Sequence, residues 1–227
     1  MASLRLEQWE QSYSRQENYI FYPKEEVVKF LNRFVKKKTG VDTYQNHLVE
    51  EQKLKGLDLG CGIGRQVILL EEFGIEGYGV DIASNALKMA QELAQSLGFE
   101  LADRFVLLQK AELPFHDNFF DIAICDSVLD SMEFSNARKY MQELNRTVKR
   151  LVYLSLICTD ASSGFGARDM LVQSEHEKGT IQSFYNERRI NRLIAETGFK
   201  IRQLHKLIIK NQLSNTTSAR FHVVLEK

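Results

Sequence analysis

The run Leu57-Asp58-Leu59-Gly60-Cys61-Gly62-Ile63-Gly64 sets three glycines at alternate positions between an apolar strand and an amphipathic helix. Lys53 to Asp58 read as the strand, and Val67, Ile68, Leu69, Leu70 and Phe73 supply the apolar face of the helix. Glycine at these places lets the main chain take positive φ and lets a ligand approach with no Cβ in the way. The amide N–H groups and the helix N-terminus then point at whatever occupies the turn. A strand, a nucleotide-cradling turn and a helix in succession place the chain among α/β proteins.

Spacing separates the two ligand families that use such a turn. The dinucleotide fingerprint G-x-G-x-x-G, counted on from Gly60 and Gly62, would put its third glycine at Arg65 and fails there. The pattern D-x-G-x-G-x-G from Asp58 to Gly64 instead resembles the first motif of class I S-adenosylmethionine-dependent methyltransferases. That resemblance implies that Asp58, Gly60, Cys61, Gly62, Gly64 and Arg65 surround the cofactor. Gly77 to Asp81 reads as a second strand ending in a carboxylate about 20 residues after the glycine turn, where a ribose is gripped. Asp81 is the expected ribose anchor, with Ile82 beside it, because an ionised carboxylate makes stronger bonds to both hydroxyls than a neutral group would. Capping of the next helix falls to Ser84 or Asn85, which leaves Asp81 free. Leu87, Ala90, Leu93, Ala94 and Leu97 recur at helical spacing through Ser84 to Gly98 and read as core.

The stretch Phe105 to Phe115 resembles the family's adenine-binding segment, with Ala111, Glu112 and Leu113 bordering the base. It departs from the family at Lys110, where an acid often accepts from the adenine amino group; lysine has donors only. Asn118 to Cys125 resembles the strand that opens the fourth motif, and the residues after it, Asp126, Ser127 and Asp130, would lie beside the transferable methyl. Asn136 to Arg150 reads as a helix, Leu151 to Ile157 as a fifth strand and Glu187 to Glu196 as a further helix. Phe199 to Ile209 and Ala219 to Leu225 look like a terminal antiparallel hairpin. Together these resemble the family's fold: a Rossmann-like, seven-stranded mixed α/β sheet with helices on both faces. The resemblance covers nearly the whole chain.

A single domain overall is expected, with an N-terminal arm over residues 1–45 packed on a methyltransferase core over 46–227. The arm carries Trp9, Tyr13, Tyr19, Phe21 and Tyr22 ahead of Pro23, then a helix from Glu25 to Lys36. Electron-rich rings suit a sulfonium cation and exclude water, so the arm can act as a lid; the alternative is an ordinary helix packed through its aromatics. Tyr13 and Arg15 are the arm's candidates for the cofactor site. The clusters Lys36-Lys37-Lys38 and Arg146, Lys149, Arg150 read as solvated helix ends.

Thirty Lys and Arg balance thirty Asp and Glu, so the chain lacks the global positive field of a sequence-independent nucleic-acid binder. Three widely spaced cysteines give neither a disulfide framework nor a metal knuckle, which fits a reducing cytoplasm. The five histidines show no ligand spacing, so no metal is expected. Met1 to Glu10 has no signal-like apolar core, and Leu151 to Cys158 is far too short to span a bilayer.

The resemblance implies transfer of a methyl from S-adenosylmethionine to an oxygen or nitrogen of a small-molecule acceptor, leaving S-adenosylhomocysteine. Asp130, or His176 in the long loop from Thr159 to Ser183, would take a proton where the acceptor carries one. That loop is the expected seat of substrate recognition, and Gly179 to Tyr185 resembles small-molecule and saccharide-modifying enzymes of bacteria. Protein or RNA methyltransferases, a non-catalytic S-adenosylmethionine-binding protein and a NAD-dependent dehydrogenase are the rival classes. Against amino-directed nucleic-acid enzymes stands Asp126-Ser127-Val128 where a Pro-Pro run would be. Against cytosine-directed ones, no cysteine follows proline. The sequence does not set the oligomeric state.

Overall fold

A computed structural model describes residues 5–48, 53–161, 166–174 and 177–227. Its centre is a seven-stranded sheet. Five parallel strands are β3 (Lys55–Leu59), β4 (Glu76–Asp81), β5 (Phe105–Leu107), β6 (Phe120–Asp126) and β7 (Val148–Ile157). The terminal pair is β10 (Lys200–Lys210) and β11 (Thr217–Glu226), and the spatial order is β10-β11-β7-β6-β3-β4-β5. β11 pairs antiparallel with both β7 and β10. The expected α/β class, strand number and C-terminal hairpin all hold.

β6 is buried along its whole length, as a central parallel strand covered on both faces must be. One face packs Leu59, Ala123 and Leu154 against α5 (Phe134–Thr147) and α6 (Glu187–Ile194). The other sets Ile122, Ile124 and Tyr153 against α2 (Glu25–Phe30) and α3 (Arg65–Glu72). α4 (Ser84–Ser96) closes on α3 through Ala90, Leu93 and Val67. β3 lies between β4 and β6, so the chain runs outward from it in both directions. That switch point opens a crevice at the strands' carboxyl ends, the ligand position in such sheets.

Several local readings differ in detail. The arm's helix stops being α-helical at Phe30, passes through a π turn at Leu31–Val35 and becomes strand β1 (Lys36–Lys38), paired with β2 (Tyr44–Asn46). The three lysines are therefore strand residues, and the Lys36 ammonium sits 4.8 Å from the centre of the Tyr44 ring. Residue 45, the expected end of the arm, lies within β2. α5 ends at Thr147, so only Arg146 occupies its last turn while Lys149 and Arg150 belong to β7. Leu97 is exposed, because α4 ends at Ser96 and Gly98 turns the chain with φ of 81°. The long loop contains a small hairpin, β8 (Asp169–Leu171) with β9 (Ile181–Ser183). A helix ahead of all these, α1 (Leu6–Ser14), was not marked by any clear apolar period.

Under α2, His222 of β11 shares a hydrogen bond of 2.7 Å between Nδ1 and the Tyr153 hydroxyl, while its Nε2 meets no partner among the described residues. Burial lowers the imidazole pKa below its ordinary value of 6.5. The unfolded chain then binds more protons as pH falls through that value, so this group removes stability on acidification. Thermal melts should show wild type losing more stability than His222→Asn between pH 7 and pH 5.5. Parallel losses in the two proteins would contradict the assignment.

Candidate active site

The turn after β3 takes the expected backbone. Gly60, Gly62 and Gly64 have φ of 69°, 53° and 82°, and the Gly60 and Cys61 amides donate to the Val80 carbonyl at 2.8 and 3.0 Å. The critical position is Gly62. A Cβ there would lie 2.7 Å from the Tyr13 hydroxyl, which α1 brings down onto the turn. Gly64 caps α3 and is packed against Phe105 and Ala90 rather than facing the crevice.

Asp81, at the end of β4, is held in place by the turn that it helps to shape. Its Oδ2 accepts from the Gly62 amide at 2.9 Å and its Oδ1 from the Ala83 amide at 2.9 Å. Each carboxylate oxygen keeps lone-pair capacity for another donor. Burial raises the pKa of this carboxyl, and of Asp58 more strongly, where nearby Asp126 adds repulsion. Capping of α4 differs from expectation: its N-cap is Ala83, which has no side chain for the task. Glu10 of α1 substitutes, accepting from the Ser84 and Asn85 amides at 2.6 and 3.0 Å. One carboxylate thus fixes the arm to the helix that follows Asp81.

Across the crevice, β6 delivers Asp126. Lys24 Nζ lies 3.1 and 3.0 Å from its two carboxylate oxygens and donates to the Ser127 hydroxyl at 2.7 Å. Gln66 Nε2 and Arg65 Nη2 reach Asp126 Oδ2 at 3.3 and 3.5 Å. Ser127 has φ of 65°, a left-handed conformation that a residue with Cβ adopts at a cost. The lysine that bonds its hydroxyl is itself partly buried, and desolvation lowers the ammonium pKa against the pull of Asp126.

Asp130 is fully buried. Its Oδ2 accepts from Arg220 Nη2 at 2.5 Å and from the Ile157 amide at 2.8 Å, whereas its Oδ1 meets no partner among the described residues. Burial raises its pKa, with Arg220 opposing that rise. Gln66 Oε1 is a second buried acceptor with no partner among the described residues. Both residues line the same cavity of about 330 Å³.

That cavity gathers most of the residues expected from sequence. Asp58, Gly60, Cys61, Gly62 and Arg65 line it from the glycine turn; Asp81 and Ile82 follow from β4. Asp126, Ser127 and Asp130 form the far wall, and Tyr13 the roof. Burial holds the pKa of the Tyr13 hydroxyl well above its ordinary value, with Asp81 adding to the effect, so it is a neutral donor.

Ala111, Glu112 and Leu113 are not brought to this wall. Glu112 is exposed, and Leu113 is buried in the main core with its amide donating to Glu143 Oε2 at 2.8 Å. Leu108 lines the cavity in their stead, tied to the Asp81 carbonyl by its amide at 2.8 Å. Arg15 points elsewhere, pairing with Glu17 at 2.9 Å. His176 and Glu175 lie outside the described residues. From the long loop, Glu177 and Gln182 line the cavity, while Asp160 pairs with Lys206 at 2.7 Å. Asp169 serves the loop's own fold, bonded to Arg189, to the Ser183 hydroxyl at 2.6 Å and to the Phe134 amide at 3.1 Å.

Sequence reading missed Lys24, Gln66 and Arg220 as site residues. Gln66 could have been found, since it sits in the first turn of the helix after the glycines. Lys24 and Arg220 join the site only through the tertiary fold.

Residues 57–156 match the methyltransferase domain family. Among curated proteins, a sterol 4-C-methyltransferase of Caenorhabditis elegans is 30% identical over 107 residues, which is 45% of this chain; the chain spans 31% of that relative's length. A solved S-adenosylmethionine-dependent methyltransferase from Methanosarcina mazei superposes with a TM-score of 0.64 at 21% identity, covering 78% of this chain and 94% of that one. Magnesium protoporphyrin IX methyltransferase from Synechocystis, solved with bound S-adenosylmethionine, gives a TM-score of 0.57 at 18% identity over 97% and 80%.

Proposed function

We propose that this chain, which carries a methyltransferase domain in a class I Rossmann-like fold, moves a methyl group from S-adenosylmethionine to an oxygen or nitrogen of a small molecule. The observation that carries the reading is one cavity lined on one wall by a glycine cradle and Asp81 and on another by Asp130, a carboxylate whose Oδ1 has no partner among the described residues. The similar enzymes that act on a sterol and on magnesium protoporphyrin point to small molecules as well.

The cradle fits the cofactor. Asp81 would hold the ribose hydroxyls, Gly60 to Gly62 would admit the chain close to the main chain, and Ile82 and Leu108 would flank the base. Tyr13 would close over the group from the arm. When bound, S-adenosylmethionine supplies an electrophilic sulfonium methyl with its leaving group already activated. What remains for the protein is alignment and exclusion of water, which can contribute up to ~7–11 kcal/mol in favourable cases.

Asp130 would accept the proton that a hydroxyl or ammonium acceptor must lose. Its pKa is raised by burial, which makes it a stronger base, and Arg220 keeps the carboxylate oriented through Oδ2. The Ser183 amide donates to the Asp130 carbonyl at 2.7 Å and fixes the backbone behind it. Lys24 neutralises Asp126, so that the wall beside the acceptor is not doubly anionic.

The test is isotopic methyl transfer to a metabolite extract, with the wild type compared against Asp130→Asn. Loss of general-base assistance should slow labelling by about 10²–10⁴-fold, while S-adenosylhomocysteine affinity stays within a few-fold. Equal labelling rates would remove Asp130 from the mechanism. Bound cofactor with no labelled product from any extract would favour a non-catalytic binding protein.

A further inference from the structure

The arm between α1 and α2 leaves four consecutive apolar residues in solvent: Tyr19 is 45% exposed, Ile20 50%, Phe21 43% and Tyr22 76%. A run of this kind is not a scatter of single surface hydrophobes, and a contiguous apolar patch marks a binding surface. Its position is specific. Asn18, Ile20 and Lys24 of the same segment line the cavity that holds Asp130.

The segment has no regular secondary structure, yet it is tied down along its length. Asn18 Nδ2 donates to the Ser12 hydroxyl at 2.7 Å, Arg65 Nη1 donates to the Tyr22 carbonyl at 3.2 Å, and Lys24 is fixed to Asp126 and Ser127. Phe21 and Tyr22 pack edge to face with ring centres 5.1 Å apart. The exposed rings are thus presented on a fixed strut at the cavity's edge, and a surface ordered in advance binds with less entropy lost.

Cavity size and chemistry complete the argument. About 330 Å³ is at the lower end of the range for sites that enclose one whole ligand, ~300–1,000 Å³, so a cofactor and an entire acceptor do not fit inside it together and part of the acceptor must lie outside. Asp130 and Gln66, two residues of the cavity wall, each keep an acceptor atom with no partner among the described residues, Oδ1 and Oε1, and an end that brings a donor suits that wall. Whatever extends from it passes over Ile20 and reaches the exposed rings.

We infer that the methyl acceptor is amphipathic: a hydroxyl- or amine-bearing end enters the cavity, and an apolar body lies on the collar formed by Tyr19 to Tyr22. This rests on the proposed methyl transfer at the same cavity and narrows its substrate class, away from a free saccharide.

The experiment uses the full chain loaded with S-adenosylhomocysteine and titrated with straight-chain primary alcohols from butan-1-ol to octan-1-ol. The chain's one tryptophan, Trp9, lines the cavity and reports occupancy by its emission. Each added methylene should tighten the alcohol's dissociation constant by about fourfold, the transfer of one CH₂ from water onto an apolar surface. The double variant Phe21→Ser/Tyr22→Ser should flatten that dependence while binding S-adenosylhomocysteine as wild type does. Affinity independent of alcohol length, or length dependence unchanged in the variant, would overturn the collar. Failure of both proteins to take up S-adenosylhomocysteine would instead sink the methyltransferase reading, so the two failures are told apart in one sample.

Discussion

Asp81→Ala should weaken S-adenosylhomocysteine binding by about 100-fold, roughly 3 kcal/mol, because two charge-assisted bonds to the ribose vanish together. Part of the loss is indirect. The same carboxylate accepts from the Gly62 and Ala83 amides, so its removal also relaxes the turn that exposes the cradle. Asp81→Asn separates the two contributions, since an amide oxygen can still accept from one of those amides and keep the turn near its native shape. Titration calorimetry on both variants should give the alanine protein the larger deficit. Dissociation constants equal to wild type in both would remove Asp81 from the ribose contact. Burial raises this carboxyl's pKa. Its charge is therefore lost at a higher pH than for an exposed aspartate, and binding should fall off correspondingly early on acidification.

Arg220→Met should be among the most destabilising single substitutions. It removes the cation 2.5 Å from fully buried Asp130 and leaves the Ile157 amide as the one hydrogen-bond donor to that carboxylate among the described residues. Breaking one side of a buried ion pair costs about 3–5 kcal/mol, which for a domain of this size lowers the thermal midpoint by roughly 10 °C. The deficit has a signature in pH. The Asp130 pKa is already raised by burial and rises further without its partner, so the variant carries its full penalty only above that value. As pH falls through the folded pKa, protonation of Asp130 relieves the strain, and the gap to wild type closes. A deficit that stays constant from pH 8 to pH 5 would show that lost packing of the arginine stem, and not an orphaned charge, is responsible.

The parts legible in the sequence share a cause: they are local. Alternating glycines dictate positive φ whatever surrounds them, and Gly60, Gly62 and Gly64 adopt it. β6 and β7 announce themselves because central strands of a parallel sheet are apolar on both faces, and β3 and β4 because the glycine turn and Asp81 end them. Asp81 follows from chain distance alone, since a second strand must end beside the first turn. What stayed hidden depends on contacts far apart in sequence. Lys24 meets Asp126 across 102 residues, and Arg220 meets Asp130 across 90. Neither partner carries a local sign of the other. A basic residue on a terminal strand reads as surface until the strand order places β11 against β7.

Two other expectations meet local chemistry that a sequence pattern does not carry. Ala111 to Leu113 were carried over from the family's adenine segment. In the structure Leu113 is buried in the core and Leu108 lines the cavity. Ser84 and Asn85 looked like helix caps, but Glu10 supplies the cap from α1. That cap joins the arm to the core just after Asp81, on the same helix whose Tyr13, three residues further on, reaches Gly62.

The direct test of the account is calorimetric titration of the intact chain with S-adenosylhomocysteine, with NADH in a parallel run. A berth made by the glycine turn and Asp81 predicts saturable uptake of S-adenosylhomocysteine at one site per chain and no comparable uptake of NADH. A flat S-adenosylhomocysteine titration from folded protein, or saturable NADH binding in its place, would contradict it.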